Sequence, residues 1–159
     1  MRGALWAPGN PVETRMSFKR ILIAVDGGTA AINAARAGID LAATLQAKLA
    51  TVYVVDPELG YGADISLSPD EMRLIAEGKD AEILTKLKQN LDLPADAEHF
   101  VRVGHAPDVI DKAATDWSAD LIVIGSHART GISRIILGSV ADALIHKATC
   151  PVMVVREVK

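Results

Sequence analysis

The chain has 159 residues, the length of one ordinary domain, and 50% of them are hydrophobic, which is enough to bury a core without disulfides or structural metals. It carries 17 basic and 20 acidic residues, so its formal charge is -3 and it has no basic surplus to neutralise a nucleic-acid backbone. Two residues each of Trp, Tyr and Phe offer few stacking platforms for single strands. These features exclude nucleic acid as an expected partner.

The segment of residues 1–15 holds two prolines and two glycines and shows no apolar core of signal-peptide length. We interpret it as a flexible N-terminal extension ahead of one domain that spans residues 16–159. The chain has no apolar run long enough to cross a bilayer, so we expect no membrane partner. The single cysteine, Cys150, excludes an intramolecular disulfide framework and suits a reducing compartment, so we expect a cytoplasmic protein.

Short aliphatic runs and helical patterns alternate along the first half of the chain. The run Ile21–Val25 has no polar alternation, as expected of a strand that is covered on both faces. Apolar residues then recur at helical spacing from Ile32 to Leu49, and Val52–Val55 predicts a second strand. Residues 68–71 read Ser-Pro-Asp-Glu, the pattern of a capping box, and predict a second helix whose apolar side extends to Leu91.

The second half continues the same alternation. It predicts a strand at Phe100–Val103, a helix from Pro107 to Trp117, a strand at Leu121–Ile124, a helix at Ser139–Lys147 and a strand at Val152–Val155. Strands that alternate with helices at this length predict an α/β fold. We expect a single doubly wound, five-stranded parallel sheet flanked by about four helices, of Rossmann-like type.

Ligands of such sheets bind beyond the carboxyl ends of the strands, where the strand order reverses. The first strand ends at Asp26, whose carboxylate suits ribose hydroxyls; an Asp in this place also commonly caps the following helix. The fourth strand runs into a glycine-containing segment that begins at Gly125, and Gly138 and Ser139 stand at a helix start.

This second stretch has the chemistry of an anion site, since a helix N-terminus offers unpaired N–H donors and a favourable dipole. Arg129 and Arg134 add positive charge to it. An alternative of equal weight is that the glycines only shape a loop and that Ser139 is an ordinary N-cap. The four histidines show no metal-ligand spacing, and no catalytic triad is recognisable, so we expect neither a metal site nor catalytic residues.

The chain resembles the universal stress protein family from Met16 to Val155. Four blocks carry the resemblance, and their order and spacing match together: Ile21–Gly27, Asp120–His127, Gly138–Ala141 and Cys150–Val155. Nucleotide-binding members have a glycine, two residues, a second glycine, nine residues, and then Gly-Ser or Gly-Thr. Here the first glycine is Gly125 and the final pair is Gly138-Ser139, but Ala128 replaces the second glycine.

The resemblance implies a set of nucleotide contacts. Asp26 would contact the adenosine, and Val25 and Val54 would line the adenine pocket. Gly125, Ala128, Arg129, Gly138, Ser139 and Val140 would surround the ribose and phosphates. If the backbone at Ala128 needs left-handed geometry, alanine costs roughly 1–2 kcal/mol there, which weakens binding without abolishing it.

The function expected from this resemblance is a stress-response module that binds ATP with Mg²⁺ and acts through an unidentified protein partner. It would not be an efficient enzyme, and it would form a homodimer through Val152–Val155. Two alternatives remain: a nucleotide-free interaction protein of the same family, and a slow ATPase or autophosphorylating protein that uses Ser126, Thr130 or Ser139 as acceptor.

Overall fold

The computed structural model describes residues 17–26, 28–56, 68, 70, 74, 78, 82, 85–126 and 137–156. The expected N-terminal extension and most of the segment around the capping box lie outside these residues. The strands are β1 (Arg20–Val25), β2 (Lys48–Val55), β3 (Glu98–Val103), β4 (Leu121–Gly125) and β5 (Val152–Val155). The helices are α1 (Thr29–Leu45), α2 (residues 85–90), α3 (Ala106–Trp117) and α4 (Ser139–Lys147), and residues 70, 74, 78 and 82 are also helical.

The five strands form one parallel sheet in the order β3-β2-β1-β4-β5. In this register Ile21 of β1 lies between Leu49 of β2 and Leu121 of β4. The predicted α/β fold with a five-stranded parallel sheet is therefore confirmed. The strand order reverses between β1 and β4, because β2 and β3 lie on one side of β1 while β4 and β5 lie on the other.

Alternate residues of the central strands pack on opposite faces of the sheet, as the pleat requires. Ile21 and Ile23 belong to the core beneath α1, whereas Leu22 and Ile122 belong to the core beneath α3 and α4. All four side chains are fully buried, so both faces of β1 and β4 are covered. This burial accounts for the unbroken aliphatic runs in the sequence.

The prediction that Leu49 continues the first helix is wrong. Helix α1 ends at Leu45, and its C-cap residue Gln46 is left-handed, with φ 53° and its N–H directed to the carbonyls of Ala42 and Ala43. This cap stops the helix, and β2 begins at Lys48, four residues before its predicted start. Leu49 matched the apolar spacing of the helix although it lies beyond the turn, because it is a buried strand residue that pairs with Ile21.

The two edges of the sheet differ in chemistry. The edge strand β3 carries Glu98 and Arg102 exposed and His99 half-buried. The other edge strand, β5, consists of three valines and Met153, whose side chain is exposed. Charged side chains on an edge strand oppose pairing with another chain, and an aliphatic edge lacks that protection.

The amino end of β1 is anchored to the end of α3. The Arg20 guanidinium lies 4.1 Å above the centre of the Trp117 ring, and its Nε donates to the Trp117 carbonyl at 2.7 Å. Both carboxylate oxygens of Asp120 accept backbone N–H groups, from Lys19 at 2.7 Å and from Arg20 at 3.0 Å. These contacts fix the amino-terminal end of the sheet, which is opposite the carboxyl ends of the strands where ligands are expected to bind.

Candidate functional site

The carboxyl ends of β1 and β4 are neighbours, and the chain leaves them towards opposite faces. After β1 it enters α1, which packs on one face, and α4, which follows β4, packs on the other. Divergence of this kind opens a crevice at the strand ends, which is the usual ligand position in doubly wound sheets. Asp26 follows β1 directly, and Gly125 is the last residue of β4.

The Asp26 side chain is exposed at the end of β1. Its Oδ1 accepts the backbone N–H of Gly28 at 2.8 Å, which shapes the turn before α1. The N-cap of α1 is Gly28, in an extended conformation and without a side-chain cap. The interpretation of Asp26 as the helix cap is therefore wrong, because Gly28 holds the N-cap position. The exposed carboxylate of Asp26 lies beside the crevice.

Gly125 lies against the backbone of α1. A Cβ atom added there would be 2.5 Å from the Ala30 carbonyl oxygen and 2.6 Å from its carbonyl carbon. The obstacle is main chain, so no side-chain rotation relieves it. A glycine at this position lets the end of β4 and the first turn of α1 approach each other closely.

Helix α4 begins at the other side of the crevice. Its N-cap is Gly138, with φ -61° and ψ 149° and no side-chain hydrogen bond. Ser139 is the exposed first residue of the helix, so its interpretation as the N-cap is wrong. Val140 is half-buried and packs against the core beneath α4. The first-turn N–H groups of α4 thus have no side-chain cap at Gly138, as an anion site requires.

The two valines expected to line an adenine pocket both lie near the carboxyl ends of their strands, but on opposite faces of the sheet. Val25 is buried in the core beneath α1 and is in register with Tyr53. Val54, one residue further along β2, packs against the core beneath α3. The structure does not bring these two side chains together. Ala128 and Arg129 lie outside the described residues, as do Arg134 and Thr130.

Two buried polar residues lie at the carboxyl ends of the strands; Asp56 was not assigned from the sequence, and Ser126 was named only as a possible phosphate acceptor. Asp56 follows β2 and is buried, and its Oδ2 accepts the N–H of Ala106 at the start of α3 at 2.9 Å. Ser126 follows β4 and is buried to the same degree, and its N–H donates to the Val155 carbonyl at 2.8 Å. Both residues could have been singled out from the sequence, because each is a polar residue directly after a buried strand.

Cys150 lies away from the crevice, before β5, and is half-buried. Burial raises the pKa of its thiol above the ordinary value, and the negative charges of Asp111 and Asp120 raise it further. The thiol therefore stays protonated at neutral pH.

Within the described part of the chain, no group of three or more His, Cys, Asp or Glu side chains is placed to hold a metal ion. No helix among the same residues is long and apolar enough to span a membrane.

Comparison with known proteins agrees with this architecture. The sequence model of the universal stress protein family matches residues 17–156. A universal stress protein of Methanocaldococcus jannaschii is 36% identical over 145 residues, which cover 89% of this chain and 84% of the relative. Universal stress protein A homolog 2 of Coxiella burnetii is 33% identical over 120 residues, covering 74% of this chain and 80% of the relative.

Solved structures share the fold at lower identity. Universal stress protein UspA from Lactobacillus plantarum superposes with a TM-score of 0.66 at 24% identity, over 87% of this chain and 98% of its own. A universal stress protein in complex with cAMP gives 0.62 at 21%, over 87% and 97%. The dAMP complex of the protein from Archaeoglobus fulgidus gives 0.56 at 23%, over 87% and 98%. With the match across residues 17–156, these findings confirm the resemblance: the chain belongs to the universal stress protein family.

Proposed function

We propose that the chain binds an adenine nucleotide, ATP with Mg²⁺, in the crevice between the ends of β1 and β4. The observation that carries this proposal is the pairing of an exposed carboxylate, Asp26, with the uncapped start of α4 across the strand-order reversal. A carboxylate accepts hydrogen bonds from ribose hydroxyls, and helix N–H groups donate to phosphate oxygens. The cAMP and dAMP complexes of proteins with the same fold support an adenine ligand.

The acidic net charge is compatible with this ligand. The positive end of the α4 dipole and the N–H groups after Gly138 supply attraction locally, where the phosphates would lie. Mg²⁺ usually binds through substrate phosphates and retains several waters, so a dedicated cluster of protein carboxylates is not required. We therefore expect the metal to enter with the nucleotide.

In this proposal the protein is a binding and signalling module of the cytoplasm that acts through a protein partner, and it is not an efficient catalyst. A slow ATPase or autophosphorylating activity is the alternative of a different class. Of its candidate acceptors, Ser126 is buried and Ser139 is exposed, so Ser139 is the more accessible hydroxyl. Transfer of labelled γ-phosphate to Ser139, abolished by Ser139→Ala, would favour the alternative.

Calorimetric titration with ATP and Mg²⁺ tests nucleotide binding directly. We expect binding to wild type and a dissociation constant raised roughly 10- to 100-fold in Asp26→Ala, since a hydrogen bond to a charged group contributes about 1.5–3 kcal/mol. Asp26→Asn keeps an oxygen for the Gly28 N–H and separates this loss from a change in the turn. Asp40→Ala, an exposed acidic residue further along α1, is the matched control and should bind like wild type.

Absence of heat and of thermal stabilisation at millimolar ATP would contradict the proposal and favour the nucleotide-free interaction protein. Ala128→Gly, which restores the second glycine of the family motif, identifies the reason. Binding by this variant alone would show that Ala128 had removed the activity.

We further propose a homodimer in which β5 pairs with β5 of a second copy. The contrast between the two edges supports this choice, since β3 presents Glu98 and Arg102 while β5 presents only aliphatic side chains and Met153. An aliphatic edge is a liability in a monomer and a suitable surface for strand pairing.

Light scattering coupled to gel filtration tests the dimer. Met153→Lys places a charge on β5 at a side chain that is already 37% exposed, so the fold should tolerate it while the dimer dissociates. Leu74→Lys replaces another exposed apolar residue, at a helical position and 62% accessible, and should leave the mass at two chains. A monomeric wild type, or a dimer unaffected by Met153→Lys, would contradict pairing through β5.

A further inference from the structure

The hydrogen bonds between β5 and β4 determine which backbone groups of β5 point outward from the sheet. The carbonyls of Pro151 and Val155 accept N–H groups of β4 at 2.9 Å and 2.8 Å. Every second residue of a strand bonds to a given neighbour, so Met153, midway between these two, also bonds to β4. The N–H and C=O groups of Val152 and Val154 therefore point away from β4, at the outer edge of the sheet.

Two-fold symmetry restricts how two copies of β5 can pair as antiparallel strands. The axis exchanges the strands, so the numbers of two opposite residues always add up to the same sum. Opposite residues both direct their backbone groups towards each other or both direct them away, and the two kinds alternate along the pair. The sum is therefore even, and one residue lies opposite its own copy. In a strand of four residues the two central choices are Met153 and Val154.

These two registers give Arg156, the residue directly after β5, different neighbours. With Met153 at the centre, Arg156 lies opposite the partner's Cys150. With Val154 at the centre, it lies opposite the partner's Val152. Cys150, Val152 and Val154 all pack against the core beneath α3 and α4, and the alternation of side chains places Arg156 on the same face.

The two ends of β5 carry complementary charges on this face. Arg156 is exposed and makes no hydrogen bond or ion pair with the other described residues. Before β5, the negative charges of Asp111 and Asp120 act on the Cys150 thiol. Oδ1 of Asp111 accepts the N–H of Thr149 at 2.9 Å and its hydroxyl at 3.1 Å, whereas Oδ2 has no hydrogen-bond partner within the described part of the chain. An antiparallel arrangement brings each cation to the acidic end of the other copy.

We propose that two copies of the chain pair through β5 with Met153 opposite its own copy, so that Arg156 of each chain contacts the partner's Asp111. This inference rests on the proposed homodimer and assigns its register and its charged contacts. The register centred on Val154 would leave each guanidinium beside the partner's Val152, so charge complementarity favours the register centred on Met153. In that register the two Met153 side chains, each 37% exposed in one chain, cover each other at the axis.

Disulfide trapping in a Cys150→Ser background tests the register. The backbone groups of Met153 point inward, so its two copies form a non-hydrogen-bonded pair with Cα atoms about 4.5 Å apart, which suits a disulfide. Met153→Cys should therefore cross-link almost completely under mild oxidation. Two copies of Val154→Cys are diagonal neighbours about 7–8 Å apart and should stay reduced. A mixture of Val152→Cys and Val154→Cys chains should form the mixed disulfide, because these residues lie opposite each other.

Leu74→Cys, at an exposed helical position, is the control for random collision and should not cross-link. A disulfide in Val154→Cys and none in Met153→Cys would overturn the register and leave pairing through β5 intact. A dimer that forms neither disulfide, and no mixed one, would overturn the register as well. A wild type that is monomeric by light scattering would overturn the homodimer and this inference together.

A double-mutant cycle tests the charged contact. Arg156→Ala removes the guanidinium, and Asp111→Asn removes the negative charge but keeps an oxygen for the Thr149 N–H. Each variant should raise the dissociation constant of the dimer about tenfold, and the double variant should raise it no further. Arg102→Ala, which removes another exposed arginine, on β3, should dimerise like wild type. Additive losses, or an Arg156→Ala dimer as tight as wild type, would overturn the contact.

Discussion

Replacing Gly125 with alanine is expected to destabilise the fold by about 3 kcal/mol, the upper part of the range for overpacked sites. The added Cβ would meet the Ala30 carbonyl group at 2.5 Å and 2.6 Å, so either β4 or the first turn of α1 must move. Both elements are anchored in buried cores and neither can shift alone. Urea unfolding should show the loss as a lower midpoint with an unchanged slope.

The matched control is Gly78→Ala. Gly78 is an exposed helical residue, and nothing lies within 4 Å of the place its Cβ would take. Alanine has the higher helix propensity, so this variant should gain up to about 1 kcal/mol. A Gly125→Ala protein as stable as wild type would mean that the close approach between β4 and α1 is not maintained in solution.

Leu144→Ala is expected to cost between about 2 and 5 kcal/mol, the range for large-to-small substitutions in a tightly packed core. Leu144 is fully buried and, with Ala141, holds α4 on the sheet. Loss of its side chain leaves a cavity beneath the helix whose first turn borders the crevice. Binding of ADP by the folded variant should therefore weaken as well, measured by calorimetry below the unfolding temperature.

Ile145→Ala removes a similar number of carbon atoms from the neighbouring residue of the same helix. Ile145 is 50% exposed, so its truncation should cost less than about 1 kcal/mol and leave ADP binding unchanged. Equal losses from the two variants would indicate that α4 is not held by burial of Leu144 but by contacts along its whole surface.

Much of the fold could be predicted from local pattern. All five strands were predicted from the sequence, and β1 and β4, which are buried on both faces, were predicted from unbroken aliphatic runs. The limits of α4 and β5 were predicted at Ser139–Lys147 and Val152–Val155, as observed. The start of β2 was missed because the left-handed C-cap is formed by Gln46, and no glycine or proline signalled the end of α1.

The site was less accessible to sequence reasoning, because its geometry depends on residues distant in the chain. Gly125 was identified as part of a motif, but its contact with Ala30 depends on the packing of α1 against β4. One of the two alternatives for Ser139 made it the N-cap of α4, whereas Gly138 holds that position, a difference of one residue that only backbone angles resolve. The opposite faces of Val25 and Val54 follow from the register of β1 with β2, which no single-strand pattern contains.

The unequal edges of the sheet would also limit how far the proposed association by strand addition can extend. A sheet that accepted new strands on both sides could grow without end by adding copies, which is how fibres form. Here a copy that joins at β5 would leave β3 as the outermost strand at either end, with the exposed charged residues Glu98 and Arg102 on it. In the proposed dimer, growth by strand addition would therefore stop after one step, because the outer β3 strands carry charged residues that oppose further pairing.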